Sequence, residues 1–229
     1  MTLVLAAHGT QDPAGAVVIS SLADAVRRRL PGVPVEVAYV DVRSPSLTEV
    51  LSGVSGPAVV VPAFLAAGYH VRVDVPEQVL LSGAASVTVT PALGPDDLVL
   101  DAVHDRLVAA GWSRGDGVVL AAAGSSDSRA VADVHRAARR LAVLTGGEVQ
   151  VGFITSAQPS VIEAVASAGP RVAIASWLLA PGLFHQRLAG MGADLVSEPI
   201  GAHPRLVDLV VRRALAAGIV DLSTMLVAQ

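Results

Sequence analysis

The chain has 229 residues, of which 52% are apolar and 16% are charged, and its formal net charge is −4. This composition excludes an intrinsically disordered protein, and because no basic run is present we expect no nucleic-acid partner. The chain has no cysteine, which excludes disulfides and thiolate metal sites, and all of its basic residues are arginine, which excludes lysine Schiff-base chemistry.

The predicted elements begin with a strand at Leu3–Ala7, a short apolar run close to the amino terminus. This run is too short for a signal peptide and no positively charged region precedes it, so we expect a cytoplasmic protein without a leader. Further short, valine-rich runs are typical of strands buried on both faces, and they lie at Val35–Val40, Ala58–Pro62 and Ser86–Thr90.

Helical patterns separate these strands. Apolar residues recur at helical spacing over 18–30, and Leu98–Leu107 predicts the helix that closes this part of the chain. Between them, Pro45 fits the first turn of a helix, and Ser46 and Glu49 have the spacing of a capping box. Such alternation of strands and helices predicts a parallel sheet with helices on both faces.

The most apolar stretches of the chain are residues 58–69 and 172–184, and both contain proline and glycine. A membrane-spanning helix needs about 20 consecutive apolar residues. Both stretches are shorter than that, so we expect no membrane segment.

The chain repeats itself at an interval of 114 residues. Pro45-Ser46-Leu47 recurs as Pro159-Ser160-Val161, and Gly68 recurs as Gly182. The second half shows strand patterns at Val118–Ala122, Val149–Phe153 and Val172–Ser176, and helical patterns near 128–144, 159–167 and 204–217. The repeat predicts an amino-terminal lobe, residues 1–115, and a carboxy-terminal lobe, residues 116–229, that is a degenerate copy of the first.

The predicted fold is therefore α/β, with two similar duplicated lobes that are each a parallel sheet flanked by helices. Ligands bind to such sheets at the carboxyl ends of the strands. Two such sheets placed face to face would form a cleft between the lobes, and we expect the functional site there.

Titratable side chains follow three predicted strands of the first half. His8 follows the first strand directly, Asp41 follows the second, and His70 follows the third after a loop of small residues. Each histidine taken alone is most simply structural, but two histidines and a carboxylate at neighbouring strand ends indicate a site. Imidazole and carboxylate ligands suit Fe²⁺, Co²⁺, Ni²⁺ or Zn²⁺, and an imidazole can also accept a proton.

These residues and their surroundings resemble the sirohydrochlorin chelatases of the CbiX type. The resemblance rests on Ala7-His8-Gly9-Thr10, on Tyr39-Val40-Asp41 ahead of Pro45, and on the run 61–76 that contains Gly68-Tyr69-His70-Val71 and Asp74-Val75-Pro76. It extends into the second half, at 178–185 and 201–204, and so covers nearly the whole chain. The most specific part is the stretch 68–76.

The resemblance implies two α/β lobes that close over a tetrapyrrole and insert a divalent metal into it. It implies that His8 and His70 are metal ligands and proton acceptors, and that Asp41 is a third ligand where many members carry glutamate. Ala123 stands in place of the first histidine in the second half, so the resemblance implies that only the first-half site is chemically complete. We expect Fe²⁺ insertion for sirohaem biosynthesis, with Co²⁺ insertion toward cobalamin as the alternative.

Sirohydrochlorin is a flat ring with carboxylates at its rim, so its site needs an apolar centre and donors at the edge. We expect it to be bound by Gly9, Thr10, Arg43, Ala66, Ala67, Gly68, Tyr69, Arg72, Ser125 and His185. For the two arginines, a solvated surface charge is an equal alternative, and His185 and His203 fit helix caps as well. We expect no cofactor beyond the metal, and a monomer in which the two lobes replace a homodimer.

Three other functions are compatible with parts of this pattern. The His-Gly turn is also found in histidine phosphatases, but these need an arginine before the histidine, where this chain has Ala7. A non-catalytic carrier of metal or tetrapyrrole would use the same pocket. A two-lobed binding module for an anionic metabolite would not need paired histidines.

Overall fold

The computed structural model describes residues 1–220, in which strands and helices alternate along the chain. The first half contains β1 (Thr2–Ala7), α1 (Pro13–Arg29), β2 (Val35–Tyr39), α2 (Leu47–Gly53), β3 (Ala58–Pro62), a π-helical turn (His70–Asp74), α3 (Val75–Leu81), β4 (Val87–Val89) and α4 (Asp97–Ala109). The second half contains β5 (Gly117–Ala122), α5 (Ser128–Thr145), β6 (Val149–Phe153), α6 (Val161–Ser167), β7 (Val172–Trp177), α7 (Leu183–Leu188), β8 (Leu195–Val196) and α8 (Pro204–Ala216).

Each half forms a four-stranded parallel sheet, and the two sheets have the same strand order. The order is β2-β1-β3-β4 in the first sheet and β6-β5-β7-β8 in the second. Leu5 of β1 lies between Val37 and Val61, and Leu120 has the same central place in β5. The predicted fold, two duplicated parallel α/β lobes, is confirmed.

Alternate residues of the central strands enter different cores. Leu3 and Leu5 belong to a large core that lies between the two sheets and includes residues of α1, α4, α5 and α8. Val4 and Ala6 face the opposite way, into a smaller core under α2 and α3, and the second sheet has a matching outer core under α6 and α7. Both faces of the central strands are covered, which explains why these strands are continuously apolar.

The last helix of each half packs against the other half. α4 contacts β7 and α5, whereas α8 contacts β3 and α1. The two helices also contact each other, and ion pairs of 2.8 Å between Arg205 and Asp105 and of 2.7 Å between Arg212 and Asp96 join them. The predicted helix Leu98–Leu107 therefore covers the sheet of the second half rather than closing its own half.

The prediction that Pro45 lies in the first turn of a helix is wrong. α2 begins at Leu47, after Ser46 as the N-cap, so Pro45 precedes the helix. The carbonyl oxygen of Pro45 accepts a hydrogen bond of 2.9 Å from the amide of Tyr39, which ties this residue to the end of β2 instead. The predicted capping box of Ser46 and Glu49 is confirmed.

Several short elements are not indicated by the sequence pattern. These are the π-helical turn with α3, and α7 and β8 in the second half. Each spans seven residues or fewer, which is too short for a hydrophobic period to stand out.

No helix within residues 1–220 combines the length and the apolar character that crossing a membrane requires. The two most apolar stretches of the sequence are instead β3 and β7 with the loops that follow them.

Candidate functional site

His8 and His70 meet at the carboxyl edge of the first sheet. His8 follows β1 directly, and His70 begins the π-helical turn that follows the loop after β3. Their Nε2 atoms lie 3.0 Å apart, although 62 positions separate the two residues in the chain. The parallel arrangement of β1 and β3 brings the two strand ends, and with them the two predicted histidines, to one point.

Each imidazole uses its other ring nitrogen as a hydrogen-bond donor. Nδ1 of His8 lies 2.9 Å from the carbonyl oxygen of Gly9, and Nδ1 of His70 lies 2.5 Å from Oδ2 of Asp74. A carbonyl and a carboxylate only accept, so each Nδ1 carries the proton and each Nε2 keeps its lone pair. Two Nε2 lone pairs at this separation are placed to bind one metal ion together.

Asp41 lies beside the two histidines. One possible ligand atom each from His8, Asp41 and His70 lies within 4.8 Å of the others. The amide of Asp41 donates a hydrogen bond of 3.1 Å to the carbonyl oxygen of His8, which holds this loop against the end of β1. Gly9 has a φ of +95°, and a Cβ there would lie 2.4 Å from the carbonyl oxygen of Asp41, so this close approach requires glycine.

The residue after Asp41 is strained. Val42 has a φ of +66°, a conformation that β-branched residues rarely adopt. The amide of Arg43 donates a hydrogen bond of 2.7 Å to the carbonyl oxygen of Asp41, and the amide of Val42 donates one of 2.7 Å to the Asp41 carboxylate. Such strain is common at ligand-binding loops, and here it accompanies a fixed orientation of the carboxylate.

The spacing of the histidine nitrogens fits a single metal ion. With metal–nitrogen bonds of about 2.1 Å, two atoms 3.0 Å apart subtend an angle of about 90° at the metal. This is the angle between neighbouring ligands in octahedral and tetragonal complexes, whereas a tetrahedral site has a wider angle. Two or three protein ligands leave coordination positions open for the atoms of a substrate.

The loop that carries His70 is held by the second half. The amide of Ala67 donates a hydrogen bond of 3.0 Å to Oδ2 of Asp133, a buried carboxylate on α5 whose other oxygen pairs with Arg136. A Cβ on Gly68 would lie 3.4 Å from the Cβ of Ala130, so the loop also packs directly on α5. The position of His70 therefore depends on both halves.

A cleft of about 830 Å³ opens beside the histidines and is lined by both halves. The chain has three phenylalanines, two tyrosines and two tryptophans, and all of them except Trp112 line this cleft. Within residues 1–220, no aspartate, glutamate or arginine lines it. Tyr69, Phe184 and part of Phe64 are accessible there, whereas Tyr39, Phe153 and Trp177 belong to the buried core. Accessible aromatic surface without ionised carboxylates or guanidinium groups suits a flat, conjugated, apolar ligand body.

Most of the residues predicted to bind the tetrapyrrole line this cleft. They are Gly9, Thr10, Ala66, Gly68, Tyr69, Ser125 and His185, whereas Arg43, Ala67 and Arg72 lie outside the lining. Nη1 of Arg43 donates a hydrogen bond of 2.7 Å to the carbonyl oxygen of Thr10, and Nε of Arg72 donates one of 2.6 Å to that of Ala67. Both arginines brace loops of the cleft, and carboxylate binding by them stays a prediction.

The two carboxy-terminal histidines make backbone contacts. Nε2 of His185 lies 3.1 Å from the carbonyl oxygen of Ser197, to which it donates, while the residue lines the cleft. His203 is the N-cap of α8, and its Nδ1 accepts a hydrogen bond of 3.3 Å from the amide of Arg205. The capping role that the sequence allowed for His203 is thus observed.

Two helices begin at the rim of the cleft. The hydroxyl of Thr10 accepts from the amide of Asp12 (3.2 Å) ahead of α1, and the hydroxyl of Ser125 accepts from the amide of Asp127 (3.0 Å) ahead of α5. A hydroxyl that accepts in this way still has a proton to donate. The pKa of Asp127 is lowered, chiefly by the hydrogen bond from the backbone of Arg129, so this N-cap is ionised at neutral pH.

The second half does not repeat the ligand set. The places of His8, Asp41 and His70 are taken by Ala123, Thr155 and Phe184. The amide of Thr155 donates a hydrogen bond of 3.0 Å to the carbonyl oxygen of Ala123, as the amide of Asp41 does to that of His8, so the backbone of the loop is preserved. Alanine and phenylalanine have no ligand atoms in their side chains, so the candidate ligand set of the first half is not repeated at these equivalent positions.

The sequence pattern does not single out Asp74 or Asp133 as site residues. Asp74 follows His70 by four positions, a spacing that brings two side chains together on a helical turn, and this spacing is the signal that could have identified it. Asp133 lies 66 positions from Ala67, and no local pattern links the two.

Comparison with known proteins identifies relatives along the whole chain. The family model CbiX matches residues 2–110 and again residues 117–217. The chain is 30% identical to the sirohydrochlorin cobaltochelatase of Methanosarcina barkeri over 115 residues, which cover 44% of this chain and 88% of the relative.

Solved structures show the same fold. SirB from Bacillus subtilis with Fe³⁺ superimposes with a TM-score of 0.79 at 23% identity and covers 98% of both chains. CbiX, described as the terminal enzyme for biosynthesis of siroheme in denitrifying bacteria, superimposes with a TM-score of 0.72 at 22% identity over 95% of this chain and 99% of its own. Because the family model matches both halves, and because the paired sheets have the same fold as these proteins, the chain belongs to the CbiX family.

Proposed function

We propose that the protein is a sirohydrochlorin chelatase, which inserts a divalent metal ion into the sirohydrochlorin ring. The observation that carries this proposal is the His8–His70 pair, whose Nε2 atoms lie 3.0 Å apart beside an aromatic cleft shared by both halves. Membership of the CbiX family supports it, as does the cobaltochelatase name of the relative from Methanosarcina barkeri.

Metal insertion exchanges one cation for two protons. The divalent ion loses its water ligands, binds the four nitrogens of the ring and displaces the protons of two pyrrole N–H groups. His8, His70 and Asp41 would hold the ion on too few ligands to compete with the ring, which then takes it over. Once the ion has moved, the Nε2 lone pairs are free to accept the displaced protons.

Asp74 supports both roles of His70. Its carboxylate accepts the Nδ1 proton of His70 at 2.5 Å, which orients the ring and keeps Nε2 as the nitrogen that is free to bind metal. When Nε2 is protonated, the same carboxylate stabilises the imidazolium that forms. Asp74 is therefore a positioning residue that acts through His70.

The walls and the edge of the cleft would bind different parts of the ring. Aromatic and small side chains would contact the macrocycle, and the carboxylates at its rim would meet donors at the edge of the cleft. The hydroxyls of Thr10 and Ser125 line the cleft, and each still has a proton to donate to a carboxylate. Arg43 and Arg72, just outside the lining, would contact carboxylates that extend beyond the cleft.

We propose Fe²⁺ as the metal and Co²⁺ as the second candidate. Two imidazoles and a carboxylate suit both ions. The name of the cobaltochelatase relative favours Co²⁺ as the specific alternative. We further propose that the protein acts as a monomer in the cytoplasm, with residues 1–115 and 116–229 as its two lobes and no cofactor beyond the metal.

Insertion of metal into purified sirohydrochlorin tests this proposal. The visible absorption of the metallated ring is followed with Fe²⁺ and with Co²⁺, each under anaerobic conditions, with and without the protein. We expect the protein to accelerate insertion well above the spontaneous rate. Tight binding of ring and metal without acceleration would identify a carrier instead, and acceleration with Co²⁺ alone would overturn the choice of Fe²⁺.

A further inference from the structure

We propose that Phe184 contacts the face of the bound tetrapyrrole ring and positions the ring for insertion, in the place where a second copy of His70 would stand. This inference rests on the proposed function. It assigns the second half an active part: the first half holds the metal and the second half supports the ring.

The placement of Phe184 follows from the duplication. Gly68 and Gly182 are equivalent in the repeat, so Phe184 is equivalent to His70, two positions further along. The loops that contain them follow β3 and β7, the corresponding strands of the two sheets, and both line the same cleft. A side chain at position 184 therefore faces the ligand, as His70 does.

The side chain of Phe184 is left partly in water. The residue is 37% exposed, and its neighbour Leu183 is 59% exposed, although both lie at the cleft. Phe64 differs, because it already stacks on the imidazole of His70 with ring centroids 6.2 Å apart. A phenylalanine held at the start of α7 with free surface toward the cleft gains stability only when an apolar ligand covers it.

The chemistry of the cleft identifies the occupant as the ring rather than the metal or the rim carboxylates. The phenyl group has no ligand atom for a metal and no hydrogen-bond donor for a carboxylate. It does offer a flat π surface, which favours stacking on another conjugated system. The uncharged, conjugated macrocycle is the part of the substrate that would stack on this surface.

The experiment compares three substitutions at position 184 with a control. Phe184→Ala removes the surface, Phe184→Leu keeps apolar area without a flat ring, and Phe184→Tyr keeps the flat ring. Ile162→Ala on α6 is the control, since Ile162 is 60% exposed in the same half and lies outside the cleft lining. Each variant is titrated with metal-free sirohydrochlorin and, separately, with Co²⁺ alone, and metal insertion is then measured.

We expect Phe184→Ala to weaken ring binding about tenfold, as loss of a stacking partner does elsewhere, with Phe184→Leu intermediate and Phe184→Tyr and Ile162→Ala close to the parent. Binding of Co²⁺ alone should be unchanged in all four variants, which also shows that they are folded. Equal ring binding by Phe184→Ala and the parent would overturn the inference, and so would full binding by Phe184→Leu. Failure of the parent protein to insert metal is a different outcome, which overturns the proposed function.

Discussion

At the scale of single residues, the chemistry of the site depends on the Nε2 atoms of His8 and His70. Their partners at Nδ1, the Gly9 carbonyl and the Asp74 carboxylate, direct both lone pairs to the same point. We expect His8→Ala and His70→Ala each to slow insertion on the order of 10²-fold or more, because each loses a metal ligand and a base together. Binding of the metal-free ring should change little, since the cleft walls remain.

His185→Ala is the matched control for these variants. His185 also lies at the cleft, but it belongs to the second half and donates to the Ser197 carbonyl. We expect it to raise KM more than it lowers kcat, as a substrate-contacting residue without a chemical role would. A His8→Ala/His70→Ala double variant that inserts metal at the parental rate would contradict the assignment of the site to the first half.

Asp74→Asn removes the negative charge beside His70 but keeps an acceptor that can hold the imidazole in place. The amide oxygen can still accept from Nδ1, but it carries no negative charge behind a metal-bound imidazole. We expect Co²⁺ affinity and insertion rate to fall by about tenfold to a hundredfold, the usual effect of removing such a partner. Isothermal titration with Co²⁺ and the visible absorption assay measure the two quantities. Parental values for both would show that Asp74 is not coupled to the site.

At the scale of elements, we expect the start of α8 to be sensitive to pH through His203. The pKa of His203 is lowered, chiefly by burial and then by the nearby Arg106, while Asp105 acts in the opposite direction and Arg205 adds to the lowering. In the unfolded chain the imidazole has its ordinary pKa of about 6.5. Between these two values the unfolded state binds more protons, so acidification favours unfolding.

We therefore expect the stabilising contribution of His203 to be complete above pH 6.5 or so and to be lost as the pH falls through the lower folded value. Protonation also removes the Nδ1 lone pair that accepts from the amide of Arg205. His203→Asn keeps a capping acceptor that does not titrate. The free energy of unfolding at pH 7.5 and 5.5, measured for both proteins, should fall less in the variant. An equal fall in both would exclude His203 as a source of the pH dependence.

At the scale of the whole molecule, α4 and α8 join the two halves. Each helix packs on the sheet of the other half, and the large core between the sheets includes residues of both. Separating the halves would expose this core on both sides. We expect urea to unfold the protein in a single transition.

Two single-tryptophan variants test this cooperativity. Trp177→Phe leaves Trp112 as a reporter just after α4, and Trp112→Phe leaves Trp177 at the end of β7. In each variant, the urea midpoint measured by tryptophan fluorescence should equal the midpoint measured by circular dichroism. A tryptophan transition that is displaced from the circular dichroism transition would show that the halves unfold separately.

Features of single stretches of the chain could be predicted from the sequence. The buried parallel strands could be predicted because each is a continuous apolar run, and the duplication because Pro45-Ser46 and Gly68 recur at a constant interval. The positions of His8 and His70 at neighbouring strand ends followed from those strands. All of these are properties of short stretches read in order along the chain.

What the sequence by itself determined is thus the fold class, the repeat and a set of candidate site residues. The tertiary structure alone decided the contacts between stretches remote in the chain: the exchange of α4 and α8, the support of the Ala67 loop by Asp133, and the cleft that gathers the aromatic side chains. The physical reason is that a local pattern records which face of an element is apolar, but not which apolar surface will cover it. That choice depends on how the two sheets and their helices pack together as a whole.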